Sequence, residues 1–272
     1  MNHHPIIALA PNGAHRQKEE HPALPLSPEE IVLTAIDAMQ AGASLLHLHV
    51  RDENGQHTLD ASTYLRTIDS IRTHTGDRLI IQITSEAAGM YTPAQQIDCI
   101  QAVKPESASI ALRELVPEPS YLPAAQSLFH WCAEQQCRAQ FILYSEADLQ
   151  AYLEYRESGV IPSAPHSLLF VLGHYARDEG SRPEDLSPFL QYIDAIEIPW
   201  MVCAFGSQEQ AVLLEAARRK GHMRTGFENN LLTPDGAPAR DNIEQIERLL
   251  KASTEAGLRP ASITEARQLL HL

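Results

Sequence analysis

The sequence predicts an α/β fold of the closed (β/α)8 type, a TIM barrel with a short C-terminal helix, with residues 1–272 forming one domain. Three observations carry this expectation. Short apolar runs alternate with helix-forming stretches eight times along the chain. The runs are apolar throughout, as parallel strands covered on both faces are. The Gly-x-Gly-x-x-Gly turn that an open, doubly wound sheet usually carries is absent.

The elements follow in order. Residues 5–10 form the first expected strand. After a proline-containing loop, Ser27-Pro28-Glu29-Glu30 opens a helix. Serine caps it, proline pre-sets the first turn and Glu30 reaches back to the cap. Gly42 ends it. Further strands are expected at 44–50, 79–84, 107–112, 139–144, 168–172, 195–202 and 223–227. Helices are expected from near Pro93, up to Gly159, over 208–220, over 242–256 and over 264–270.

With 21 basic against 35 acidic residues, the net charge of −14 argues against a nucleic-acid or anionic-membrane surface. No apolar run approaches the roughly 20 residues of a membrane span. The first residues lack a basic stretch followed by an apolar core, so a cytoplasmic location is expected. Cys99, Cys132, Cys137 and Cys203 match neither a zinc ribbon nor a disulfide framework, which fits a reducing compartment.

The chemistry concentrates in Leu45-Leu46-His47-Leu48-His49-Val50-Arg51-Asp52. On a strand, His47, His49 and Arg51 share one face, and Leu46, Leu48 and Val50 the other. Two imidazoles so spaced are roughly 7 Å apart at the backbone and can lean onto one metal. They also end a strand, where barrel enzymes place their sites. The same pair also suits two hydrogen-bonded histidines in a polar barrel mouth.

A candidate third ligand lies in Arg224-Thr225-Gly226-Phe227-Glu228-Asn229-Asn230. Strand eight of a barrel closes beside strand one, so Glu228 can face His47 and His49. It can also be a helix N-terminal carboxylate or a solvated loop charge. Two His and one Glu leave positions open on a metal, the catalytic arrangement, and supply a Lewis acid. The set suits Fe2+ as well as Zn2+. Arg224, inside a strand, reads either as a bidentate clamp for a substrate carboxylate or as half of an internal ion pair. Cys203, Trp200, His174 and Tyr175 lie near the expected mouth and read equally as packing or loop residues.

Asn12-Gly13-Ala14, Gly42-Ala43-Ser44 leading into His47-Leu48-His49-Val50-Arg51, and Arg224-Thr225-Gly226-Phe227-Glu228-Asn229-Asn230 together resemble the β-keto acid cleavage enzymes, the family of 3-keto-5-aminohexanoate cleavage enzyme. Pro105-Glu106-Ser107-Ala108-Ser109, Phe170-Val171-Leu172-Gly173 and Glu265-Ala266-Arg267-Gln268-Leu269-Leu270 extend the resemblance nearly end to end. It implies a zinc-dependent TIM barrel that reacts a β-keto acid with acetyl-CoA, giving acetoacetate and a new acyl-CoA by Claisen-type acyl transfer. It also implies a homotetramer. The zinc ligands become His47, His49 and Glu228, and the strand-eight arginine becomes Arg224. The hydroxyl of strand three falls on Thr84 and that of strand four on Ser109.

Three positions depart from the family pattern. Asn229 stands where the family usually has the Asp credited with proton transfer, and Asn cannot take a proton near neutral pH. His15 stands where a Glu is common. The stretch Cys203-Ala204-Phe205-Gly206-Ser207-Gln208 lacks the usual Arg, which weakens or replaces a phosphate contact to CoA. His15 or Glu86 then becomes the candidate for proton transfer, His15 because imidazole titrates near pH 6.5. The resulting candidates are Arg224, Asn229, Thr84 and His15 for catalysis, and Ser109, Asn12 and Glu86 for substrate binding. Metal-dependent retro-aldol or hydrolytic carbon–carbon cleavage, and a non-catalytic zinc-containing ligand-binding barrel, are the alternative readings.

Overall fold

A computed structural model describes residues 3–174, 180–193 and 197–272. In chain order the strands are β1 (Ile7–Leu9), β2 (Leu45–Leu48), β3 (Val50–Arg51), β4 (His57–Thr58), β5 (Ile80–Thr84), β6 (Ser107–Ala111), β7 (Arg138–Leu143), β8 (Ser167–Leu172), β9 (Trp200–Ala204) and β10 (His222–Thr225). The helices are α1 (Pro28–Ala41), α2 (Ala61–Thr75), α3 (Pro93–Val103), α4 (Leu112–Leu115), α5 (Leu122–Glu134), α6 (Glu146–Glu157), α7 (Ser187–Ile193), α8 (Glu209–Arg218), α9 (Asn242–Glu255) and α10 (Ile263–Leu270). Eight parallel strands close a barrel in the order β1, β10, β9, β8, β7, β6, β5, β2, while β3 and β4 form a separate antiparallel hairpin.

Strand alternation sets what faces where. Leu46 and Leu48 of β2 join Ile7, Leu9, Ile81 and Ile83 in the outer core, against α1, α2 and their neighbours. Leu45 points inward with Ala8, Ile80, Leu169 and Met201, and α10 closes that end with Ala266 and Leu270. His47 shares Leu45's face and so enters the barrel. Each fully buried leucine or isoleucine contributes about 1.5–3 kcal/mol, and this outer layer fixes the direction of the polar inner residues.

The local signals behave as their chemistry dictates. Ser27 and Glu30 close a capping box on α1, and Gly42 ends it at φ 105°. The strand expected at 44–50 stops at Leu48. Beyond it, Asp52 Oδ1 accepts the backbone N–H groups of Asn54 and Gln56, both at 2.9 Å. That turn folds Val50 and Arg51 back on His57 and Thr58. Arg51 therefore leaves the face it was expected to share with His47 and His49 and donates to the Gly13 carbonyl. The last barrel strand stops at Thr225, because Gly226 turns the chain at φ 131°, where any Cβ would collide with the Ala10 carbonyl. In the described residues the strand expected at 195–202 begins at Trp200; its positions 195 and 196 lie outside them.

Candidate active site

The site is built at the carboxyl ends of the strands. His47 comes from β2, and His49 lies just past its end. Glu228 arrives on the turn after β10, held against β1 because its N–H donates to the Ala10 carbonyl at 3.0 Å. The two Nε2 atoms lie 3.1 Å apart. Glu228 Oε2 lies 3.5 Å from His47 Nε2 and 3.3 Å from His49 Nε2. All three side chains are buried. Among the described residues this is the one group of three or more His, Cys, Asp or Glu that can hold a metal.

The residues present fit a divalent ion. A tetrahedron built on bonds of ~2.0–2.1 Å has edges of about 3.4 Å, close to the three separations found. Glu228 Oε2 is buried with no hydrogen-bond partner, a high-cost state for a carboxylate oxygen that a cation would relieve. His47 Nδ1 faces Gln82 Oε1 at 2.9 Å. Gln82 Nε2 in turn donates to Ser107 Oγ at 3.2 Å and Gln140 Oε1 at 3.3 Å, which fixes its oxygen toward His47. The Nδ1 proton is thereby placed, and Nε2 presents its lone pair to Glu228 and His49. Burial pushes His47 down to about 3, so the imidazole is neutral.

Arg224 supplies the opposing charge. Its Nη2 donates to Glu228 Oε1 at 2.8 Å, to Asn229 Oδ1 at 3.1 Å and to Cys203 Sγ at 3.2 Å. Burial works to raise Glu228, but the Arg224 guanidinium and the histidines together outweigh it and hold the carboxyl well below its ordinary value. With His47 neutral, the guanidinium is the main source of that attraction. Burial pushes the Cys203 thiol up to about 11, which leaves it a neutral acceptor beside Arg224.

A cavity open at its mouth takes in His47, Glu228, Arg224, Asn229, Thr84 and Glu86. Its far wall is apolar, with Ala111, Ile142, Val171 and Phe205, and carries Tyr144, Glu114 and His174. Glu86 Oε1 lies 3.2 Å from the half-exposed His15 ring, and its other oxygen lies 3.8 Å from His49 Nε2. The Glu86 hydrogen bond raises His15 above its ordinary value. Burial works to raise Glu86, but the bond to His15 together with the attraction of His49 and His15 leaves it below its ordinary value.

Not every candidate meets the cavity. Asn12 donates to the Pro25 carbonyl at 2.9 Å and the His49 carbonyl at 3.4 Å, so it steadies the backbone of His49. Ser109 lies one layer deeper than Ala111, its buried hydroxyl without a partner among the described residues. Thr84 lines the cavity, and its hydroxyl accepts the Glu86 N–H at 3.0 Å. Tyr175 lies outside the described residues.

Several site residues escaped the sequence reading. Gln82 was hidden inside the apolar run Ile80-Ile81-Gln82-Ile83, where a lone amide on the inward face was the signal. His57 packs its ring 5.4 Å from that of His49, through a hairpin no strand pattern announced. Glu114 and Tyr144 follow β6 and β7, and nothing local marks either as lining a cavity.

The chain is 29% identical over 272 residues to a 3-keto-5-aminohexanoate cleavage enzyme of Fusobacterium nucleatum, covering 98% of this chain and 97% of that protein. It is 23% identical over 276 residues to a 3-oxoadipate:acetyl-CoA acetyltransferase of Cupriavidus necator, covering 98% and 94%. Among solved structures, the apo form of ObcA superposes with a TM-score of 0.74 at 16% identity, over 92% of this chain and 66% of that one, which shows the shared barrel. The profile of the beta-keto acid cleavage enzyme family matches residues 5–272, and the chain belongs to that family.

Proposed function

We propose that the protein is a zinc-dependent acyltransferase that exchanges groups between a β-keto acid and acetyl-CoA. The keto acid loses its C2–C3 bond and acetyl-CoA its carbon–sulfur bond. C2 takes the acetyl group to give acetoacetate, and CoA takes the remaining acyl group. The observation that carries the reading is the meeting of His47, His49 and Glu228 beside Arg224, with His47, Glu228 and Arg224 lining one strand-end cavity. The reaction class follows the relatives, whose names specify keto acids and acetyl-CoA. Zinc held by His47, His49 and Glu228 would supply Lewis-acid polarisation of the bound carbonyl.

The chain's own groups do the rest. Arg224 keeps Glu228 ionised and presents positive charge to the same cavity, where the carboxylate of a keto acid is drawn. The proton at C2 must be removed and returned, and Asn229 cannot do this. Glu86 lines the cavity and passes that proton to His15, the terminal base, which is half exposed and exchanges it with water. The apolar wall of Ala111, Ile142, Val171 and Phe205 receives the acyl tail. In this reading the enzyme is a cytoplasmic homotetramer.

The test incubates zinc-loaded protein with acetyl-CoA and a panel of β-keto acids and follows acetoacetate. Formation of acetoacetate that requires CoA, and its loss in His47→Ala, is the expected result. Cleavage of the keto acid without CoA would replace this reading with a carbon–carbon lyase. No turnover on any substrate, with ligands still protecting against heat, would leave a binding barrel.

A further inference from the structure

Behind the turn that carries Glu228 lies a second set of buried polar groups, unused by the chemistry above. Glu209 opens α8 and is 4% exposed. Its Oε2 accepts from Asn230 Nδ2 at 2.9 Å. Its Oε1 is buried with no hydrogen-bond partner among the described residues. Glu209 therefore holds the exit of the 226–230 turn from α8.

The exit is itself well defined. Asn230 Nδ2 donates to the Leu232 carbonyl at 2.8 Å, and Asn230 Oδ1 accepts the Leu232 N–H at 2.9 Å. From α9, Gln245 Nε2 donates to the Asn230 carbonyl at 2.7 Å, and Asn242 Oδ1 accepts the Phe227 N–H at 2.9 Å. Within the turn, the N–H groups of Asn229 and Asn230 share the Gly226 carbonyl at 3.0 and 3.1 Å. A carboxyl buried here costs free energy that an apolar side chain would avoid. That cost falls on the turn whose shape decides where Glu228 Oε2 points.

We propose that Glu209 is a positioning residue, bracing the 226–230 turn from α8 so that Glu228 Oε2 faces His47 and His49. The inference rests on the metal-dependent reading. Glu209 is not among the residues lining the substrate cavity; it acts through Asn230, two residues after Glu228.

The experiment compares the full-length protein with Glu209→Gln, Glu209→Leu and Asn230→Ala. It reads amide hydrogen exchange at 226–230, Zn2+ affinity by chelator competition and the visible spectrum of the Co2+-loaded form. Glu209→Leu is expected to weaken Zn2+ binding by about 10–100-fold and to alter the Co2+ bands. Exchange at 226–230 should speed up by about tenfold relative to the other barrel strands. Glu209→Gln, whose amide oxygen still accepts from Asn230, should stay within about threefold of the parent affinity. Should Glu209→Leu fail to fold, Asn230→Ala removes the same bond from its other end and is expected to give the same pattern. Parent-like Zn2+ affinity in the variant that folds overturns the brace. If the parent protein itself takes up no Zn2+, the metal-dependent reading falls, and exchange at 226–230 alone decides the brace: local acceleration supports it, and unchanged or uniformly raised exchange overturns it.

Discussion

Arg224 binds one oxygen of Glu228 at 2.8 Å and leaves the other turned toward His47 and His49. The pair is almost dry, so removing the guanidinium strands a buried carboxylate. Arg224→Gln is expected to lower the unfolding free energy of the metal-free protein by about 3–5 kcal/mol. Zinc should restore part of that loss, because it supplies the missing positive charge to Glu228. Denaturant unfolding with and without zinc measures both. Equal stability of variant and parent would mean that the pair is not a buried unit.

Gln82 decides which nitrogen of His47 faces the cavity. Replacing it by Leu keeps a similar volume among Ile80, Ile81 and Ile83 but removes the acceptor at Nδ1. Gln82→Leu should lose about 10–100-fold in zinc affinity. The affinity is read by chelator competition, with circular dichroism to verify the fold. Parent-like affinity would show that the ring orients without Gln82.

Asn229 accepts from Arg224 through Oδ1, and an Asp there would meet the same guanidinium with a charge-assisted bond. Restoring a titratable group where proton transfer is needed should raise transferase turnover by roughly tenfold or more. With His15 as the base in the parent, kcat/KM should rise with pH through a value above the ordinary imidazole range, because the Glu86 bond favours the protonated ring. That limb should vanish in His15→Asn and weaken in Asn229→Asp. A parent profile flat across neutral pH would remove His15 from the mechanism.

The cavity's charge predicts which tails it accepts. Glu86 and Glu114 both line it, and among the described lining residues Arg224, already bound to Glu228, is the single arginine or lysine. A second carboxylate on the keto acid tail would meet like charge. Matched β-keto acids with neutral and anionic tails should differ by about tenfold or more in kcat/KM, one such factor being about 1.4 kcal/mol. Glu114→Gln should narrow the gap. Preference for the anionic tail would place it elsewhere in the molecule.

What the sequence made legible were features whose cause is local. The capping box at Ser27 and Glu30 and the inward direction of His47 follow from residue type and strand alternation. The strand break after Leu48 did not, because it depends on Asp52 closing a turn with Asn54 and Gln56 and on pairing with His57 and Thr58. Helix α2 was not anticipated, since threonine and arginine dilute its apolar period; its buried face includes Tyr64, Thr67, Ile71 and Thr75. Gln82, Glu114 and Glu209 gain their places through partners 18 to 58 positions away, such as Gln96 and Gln140. Such distant meetings leave no spacing to read.

Glu209 also sets a dependence on pH that is separate from catalysis. Burial raises its carboxyl from 4.5 to about 8, against the hydrogen bond from Asn230. The folded protein thus holds this proton more tightly than the unfolded chain does. The sign follows: the group favours the fold fully below pH about 4.5, and that contribution is lost as the pH rises through about 8. Over this window the slope from one such proton is at most about 1.4 kcal/mol per pH unit. Glu209→Gln keeps the acceptor for Asn230 and abolishes the titration. Its unfolding free energy should therefore gain on that of the parent as the pH is raised from 5 to 9, with little difference at pH 4. Parallel curves for the two proteins would mean that Glu209 is already ionised in the native state.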